Sequence, residues 1–591
     1  MRAKRVFDNE RGIALVVVLL VVLAVAAIIA GAAVLGSSTS LIQKHQARLS
    51  TLETVADAGL EEARSQLNGD KTFYPDTGYR ILEAGATVYA ADGSVIPNVK
   101  RWLYVGPTGI TTGQYGVTGS IVAMTRDAQG NQVVRRGEVY QESFSKYAYF
   151  TTVEGVIYFA NGDQIFGPVH SNDVLHIASS GATFFGPVTT ASTISGRSYG
   201  TYKQGYQENV SAIAMPTTAD LTKLKGQAIL GGTAITSTLL GNAGQATTRI
   251  EFVALDLNAD GDSSDADEGF IKVYQVANPT NVWWVVADTV NWSAGGPTQG
   301  IRNSQNCGHI DATGFRTFAR HPTGGGPDSK SGAPGIPTGR KCFLGGADSL
   351  NSPIGFQSPD SLGAWLLWSG IADPRVTAVA GAMAPYLWPI NRVLNPSFKG
   401  VIYVDGKVAV SGKLRGRVTL AATGNIIIAD DIRYVTDPAT ATCNDILGLF
   451  SGNDIVVADN LLNDPIPWTP GQASVTWSTP KDEFINGFVL ALGVFTAQQY
   501  DQGSTHAEDC APANDGRGCL YLTGGVIQRQ RGAVGMTTGQ GYIKRYSYDA
   551  CGLTDPPPYF PTTGHFNRGH YFEVDPTNFN IASYWSLLIP H

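Results

Sequence analysis

Charge is scarce in this sequence. Of 591 residues, 42 are Lys or Arg and 49 are Asp or Glu, so charged residues make up 15% and the formal net charge is −7. So little charge excludes a disordered, self-repelling chain. No long basic block occurs, which leaves dedicated nucleic-acid binding without support. Neither H-E-x-x-H nor G-x-x-x-x-G-K-[ST] is present, so zinc-protease helix and phosphate loop are not encoded. Cysteine is missing from the first half of the chain and forms no C-x-x-C pair.

Glycine (69), proline (30) and aromatics (23 Phe, 24 Tyr, 10 Trp) are plentiful within a 43% apolar composition. That blend predicts short strands joined by tight turns. A chain of this length divides into two to four domains of roughly 100–200 residues.

The N-terminus breaks the pattern. Ile13 to Leu35 is free of charge and long enough to cross a bilayer of about 30 Å. Arg2, Lys4, Arg5 and Arg11 precede it, which predicts a cytoplasmic first segment and a translocated remainder. Beyond Gly36–Ser40, Leu49, Leu52, Ala56, Leu60, Ala63 and Leu67 recur at helical steps, predicting a helix to about Leu67 with one apolar stripe. A plain signal anchor is the simpler alternative.

The stretch Asn9-Glu10-Arg11-Gly12-Ile13-Ala14-Leu15 resembles the prepilin cleavage motif of type IV pilins and type II secretion pseudopilins. The run Glu53 to Arg64 is similar to the corresponding stretch of PilX-like minor pilins. The resemblance implies cleavage after Gly12 by a prepilin peptidase, methylation of Ile13, and a single span in the bacterial inner membrane with the bulk outside the cytoplasm. It implies contacts with membrane lipid, other pilins and pilus assembly proteins, and a place in a pilus or at the cell surface. Major pilins carry a Glu as the fifth mature residue; here that position is Val17. Family members lacking that Glu are associated with initiation and the filament tip, where a buried carboxylate would find no partner.

Between Thr72 and Tyr149, the turn pairs Asp92-Gly93 and Gln129-Gly130 separate alternating strands at Val99–Val105, Gly119–Thr125 and Gln132–Val139. This predicts an antiparallel sheet packed on the helix. After Lys146 repeats take over. Phe166-Gly-Pro-Val169 returns as Phe185-Gly-Pro-Val188, 19 residues on, and Gly424 to Asp430 is echoed by Gly452 to Asp459. Such repeats predict a parallel β-solenoid broken by insertions, with Gly487–Thr496 and Leu520–Gln528 as further rungs and a β-sandwich as the alternative. Lys146–Phe150, Gly167–Asn172, Gly525–Gly532 and Pro556–Pro561 also resemble stretches of large DUF4900-like bacterial surface proteins.

The fold class expected is therefore mainly β with one long N-terminal helix. The domains are a leader (1–12), a transmembrane helix (13–35), its amphipathic continuation (36–69) and an antiparallel pilin-like head (70–150). A solenoid start (151–245), a calcium-loop hairpin insertion (246–300), a Cys-containing loop-rich insertion (301–395) and a solenoid-like C-terminal region (396–591) come after it.

Asp256-Leu-Asn258-Ala-Asp260-Gly261-Asp262-Ser-Ser-Asp265-Ala-Asp267-Glu268 fits the D-x-N-x-D-G calcium loop, with oxygen ligands in alternation and Gly at the sharp bend. The expected ligands of a structural calcium are Asp256, Asn258, Asp260, Asp262, Asp267 and Glu268, with Asp265 in reserve, between strands at Ile250–Leu255 and Phe270–Tyr274. The bland alternative is an unliganded acidic turn.

Cys307, Cys342, Cys443, Cys510, Cys519 and Cys551 are even in number, which outside the cytoplasm predicts disulfides. Cys510 with Cys519, Cys307 with Cys342 and Cys443 with Cys551 are candidate pairs. A zinc site from Cys307, His309, His321 and Cys342 is the alternative, though its spacing matches no standard finger. No catalytic residues are assigned and no enzyme is expected. Asp430, Asp431 and Asp459 are candidates for the acid and base of a polysaccharide-processing β-helix, but Asp after an apolar strand is ordinarily a turn residue. His170, His176, His565 and His570 are scattered, and Trp283, Trp284, Trp365, Trp368 and Trp388 are expected in cores. The resulting function is a structural minor pilin or pilus-assembly component, with a calcium-stabilised adhesin that takes a surface ligand as the alternative and the enzyme a more distant one.

Overall fold

A computed structural model describes residues 10–70, 73–75, 78–108, 118–160, 163–236, 248–276, 282–284, 341–343, 363–457, 483–497, 500–501, 519–536 and 540–588. The chain forms one long N-terminal helix followed mainly by β structure, in two compact units. The first comprises Met1–Ile110, Thr118–Tyr140 and Phe566–His591, and the second Thr111–Val117 and Gln141–His565.

In the first unit the helix runs unbroken from Glu10 to Gly69. Ser37, Ser38 and Thr39 do not interrupt it, because their hydroxyls donate back to the carbonyls of Val34 and Leu35 at 2.8–3.0 Å. No residue from Ile13 to Arg48 is buried. From Leu52 the expected stripe does the packing: Leu52, Ala56, Leu60, Ala63 and Leu67 are buried, the last four against Leu103, Val105, Ile121 and Val139. Gly59 lets the helix approach the sheet closely, since a Cβ there would lie 2.9 Å from the side chains of Arg101 and Leu103. Arg101 then ties helix to sheet through Glu62 and Glu83.

The sheet is antiparallel. Its strands Arg80–Tyr89, Val95–Pro107, Thr118–Asp127 and Gln132–Ser143 follow chain order, and Thr562–Val574 closes the far edge. The Asp92-Gly93 and Gln129-Gly130 pairs make the expected turns, with Gly93 at φ 82° and Gly130 at φ 90°. The fifth strand corrects the expectation that residues 396–591 form one solenoid-like region. Phe566 is fully buried beside Leu60, and its backbone amide and carbonyl are held by the Asn68 side chain at 2.6 and 3.1 Å. Trp585, from the helix Ile581–Leu588, is buried against Tyr104 and Val122. The final segment thus completes the first unit's core.

The second unit is built of parallel rungs. Tyr149–Val153, Val169–Ser171, Val188–Thr190 and Tyr206–Gln207 form one ladder; Asp163–Ile165, Ala182–Phe184 and Gly200–Tyr202 a second; and Tyr158–Phe159, Leu175–Ile177 and Ile194–Ser195 a third. The Phe-Gly-Pro-Val repeat sets this register, with Val169 opposite Val188 and the rings of Phe166 and Phe185 stacked 4.2 Å apart. After Gln207 the chain leaves the ladders for the helix Thr218–Leu230, started by a reciprocal Thr217/Asp220 cap. That helix buries Leu221, Leu224 and Ala228 against Val401, Tyr403 and Ala421.

Stacking resumes from the opposite end. Ala234–Thr236 pairs with Val401–Asp405, which is followed in space by Arg417–Ala422, Ile446–Ser451, Glu483–Ala497 and Cys519–Gln530. The Gly-Asn echo holds here too: Ile426 lies opposite Ile455, and Asn453 donates to Asn425 at 2.7 Å. Cys519–Gln530 finally lies against Tyr149–Val153, the unit's first strand. The chain therefore begins and ends this stack in its middle. The sequence places the hairpin Thr248–Ala254 and Gly269–Val276 in an insertion. Its first strand instead serves as a rung, pairing in parallel with Val408–Gly412.

Candidate functional site

Two features carry functional expectations on described residues: the N-terminal helix and the acidic loop. Gly12 and Ile13 lie within the first turns of the long helix, while residues 1–9 of the leader are outside the described residues. The segment from Ile13 is long and apolar enough to cross a membrane, by length and composition. Val17 is one of its exposed apolar side chains.

The acidic loop joins the hairpin's two strands, where Ala254 lies opposite Gly269. Asp256 organises it. Its carboxylate accepts the backbone N–H groups of Ala259, Asp260 and Gly261 at 2.6, 3.3 and 2.9 Å, and Ala259 and Gly261 take positive φ. Asn258 donates to Asp260 and Asp265. The Ser264 hydroxyl and amide hold the Asp262 carboxyl below its ordinary range.

The other two expected ligands are engaged elsewhere. Asp267 pairs with Arg375 at 2.7 Å, and the buried Glu268 accepts the Leu257 and Asp265 amides at 2.7 and 2.8 Å. Among the described residues, no group of three or more His, Cys, Asp or Glu is placed to hold a metal ion. In this conformation the six expected ligands do not converge, and the loop's oxygens are largely satisfied by its own N–H groups.

Cys443 and Cys551 form a disulfide, with Cα atoms 5.4 Å apart. Cys519 is also disulfide-bonded. Cys307 and Cys510, with His309 and His321, lie outside the described residues, and of Cys342 only its strand, Lys341–Phe343, is described.

Asp431 has a structural engagement: it is buried, accepts the Phe484 amide at 2.8 Å and pairs with Arg433 at 3.0 Å. Asp459 and the Asp430 side chain are outside the described residues. His170 is buried against the Phe150 ring and bonded to Thr189 and Asn172, and burial holds its pKa below the ordinary value. His176 packs on Tyr158, and His570 meets Glu138 at 3.0 Å. Trp388 is buried and donates to the Leu366 carbonyl, and Trp368 packs against the same core. Trp365 sits in the strand Gly363–Trp365, and Trp283 and Trp284 in Val282–Trp284.

Sequence reasoning missed one cluster, Arg197, Tyr202, Tyr206 and Glu208 at the last rung of the first coils. Its only sequence signal was the run of tyrosines from Tyr199 to Tyr206.

No family model matches the chain, and no curated protein matches it. Among solved structures, the competence-associated pilin ComZ from Thermus thermophilus aligns over 88% of this chain and 96% of that chain, at 12% identity and a TM-score of 0.24. A similarity so slight carries no inference, and function has to be argued from the chain's own residues.

Proposed function

We propose that this protein is a structural minor pilin, or an assembly component of a type IV pilus-like filament, carrying a large β unit outside the cytoplasm. One observation carries the reading: a single helix that buries nothing from Ile13 to Arg48 and from Leu52 packs on an antiparallel sheet. Exposed, uncharged and long enough to span a bilayer, the segment from Ile13 to Leu35 suits lipid or the packed helices of a filament. Gly12 is the processing residue and Ile13 the methylated terminus. The absence of a carboxylate at Val17 suits a subunit at the tip, where no neighbour would neutralise one. The PilX-like and DUF4900-like resemblances belong to the same proposal. Partners are a prepilin peptidase, other pilins and membrane lipid.

The test is mass spectrometry of the N-terminal peptide from membranes and sheared filaments, with and without the peptidase. A methylated Ile13 that requires the peptidase and is recovered in sheared filaments is the expected result. An intact leader in every fraction rejects the proposal in favour of a plain anchor.

A second reading is a surface adhesin whose hairpin loop takes calcium. It rests on the D-x-N-x-D-G spacing and on the curl of backbone around Asp256. Loading would have to draw Asp260 and Asp262 away from their present bonds. Calorimetric titration with calcium tests it, and heat unchanged by Asp256→Asn rejects it.

A further inference from the structure

The first coils of the second unit end on a rung made of Ile194–Ser195, Gly200–Tyr202 and Tyr206–Gln207, each paired, among the described residues, with a neighbouring strand on one side only. A shallow, open cleft of about 690 Å³ borders this rung, lined among others by Thr193, Arg197, Tyr202, Tyr206 and Glu208.

Its polar groups are fixed in advance. Glu208 accepts the Ile194 N–H at 2.7 Å through one carboxylate oxygen and Arg197 at 2.8 Å through the other. The Arg197 guanidinium also lies over the Tyr206 ring, 5.4 Å from its centroid, yet its side chain remains 51% exposed. A clamped, half-exposed guanidinium retains unused N–H donors in a fixed plane.

The aromatic groups are equally placed. Tyr202, half-buried, ends a stack on Phe184, the two rings 5.4 Å apart and 4° from parallel, and its buried hydroxyl has no hydrogen-bond partner among the described residues. Tyr206 leans on it at 4.9 Å while staying 42% exposed. The exposed Tyr206 ring beside fixed planar hydrogen-bonding groups matches a ligand with an apolar C–H face and adjacent hydroxyls. That description fits a sugar ring. Arg197 and Glu208, the charged lining residues, cancel, so an anionic ligand gains no net attraction.

We propose that this cleft binds a neutral oligosaccharide, with Tyr206 as the stacking platform and the Arg197–Glu208 pair holding ring hydroxyls. Little conformational freedom would be lost on binding, because both charged side chains are already anchored. The inference concerns the second unit alone and stands whether or not the chain enters a filament.

The test is saturation-transfer NMR on the full chain in detergent, with chitotetraose, cellotetraose and maltotetraose as neutral probes. Transfer from at least one is expected, weakened by about tenfold or more in Tyr206→Ala and in Glu208→Gln and retained within about twofold in Tyr206→Phe. Circular dichroism of each variant separates lost binding from lost folding. No transfer from any of the three sugars, or a folded Tyr206→Ala that binds as well as the parent, overturns the proposal. Sedimentation showing a dimer that Tyr206→Ala dissolves would likewise overturn it, because the rung would then pair with a second copy.

Discussion

Glu154 and Arg531 meet where the second unit's first strand lies against one of its last. Both side chains are buried, and the carboxylate also accepts the Tyr149 hydroxyl at 3.0 Å and the Thr151 hydroxyl, while the guanidinium lies over the Phe159 ring at 4.1 Å. Removing one partner strands a buried charge, so Glu154→Leu or Arg531→Met alone should cost about 3–5 kcal/mol. The double variant should recover much of that, which thermal denaturation of all three proteins will reveal. His170 gives a pH dependence. Burial lowers its folded-state pKa, so the folded unit resists protonation more than the unfolded chain does. The stability it contributes is present above the ordinary His value and is lost as pH falls through that value toward the lowered one. Denaturant midpoints measured from pH 8 to 5 should fall, and His170→Gln should flatten that part of the curve.

At the scale of elements, glycines decide where strands can touch. Gly412, at φ 111°, faces the Phe252 backbone, and an added Cβ would press into it. Gly412→Ala should cost about 1–3 kcal/mol from the backbone conformation alone. Faster hydrogen exchange should follow in Thr248–Ala254, the strand it pairs with. The Phe-Gly-Pro-Val and Gly-Asn repeats were legible because their residues occupy equivalent places on successive rungs, and register follows from them directly. The helix was legible because its stripe keeps a helical step from Leu52 to Leu67. Their stacking order was not, because Gln207 and Ala234 are close in sequence but lie in rungs at opposite ends of the ladder. Nothing in local periodicity encodes a jump of that kind. The acidic loop was legible as a turn between strands, yet its hydrogen bonding was not: spacing places Asp267 and Glu268 as ligands, whereas Arg375, distant in sequence, pairs with Asp267 and the Leu257 amide binds Glu268.

For the whole molecule, the sequence divided most poorly at its end. Thr562–Val574 reads as one more strand after many, and only burial of Phe566 and Trp585 beside residues from the first part of the chain reveals its place. Deleting Phe566–His591 should therefore destabilise the first unit, opening the core around Leu60 and Val139 and speeding proteolysis near Arg64. Cleavage there at the parental rate would show that the last strand is dispensable. The return of the chain to the middle of its own stack has another consequence. The Phe144 amide donates to the Pro561 carbonyl at 2.9 Å, and the Thr562 hydroxyl bonds to Gln141 at 2.6 Å, so the segments leading into and out of the large unit run side by side. More than four hundred residues thus separate, in sequence, two adjacent strands of a small sheet. Replacing residues 144–561 with a short turn should leave a foldable hairpin linking Gln132–Ser143 to Thr562–Val574. Chain ends that leave from neighbouring strands permit a large insertion to be gained, lost or exchanged in evolution without redesign of the small sheet.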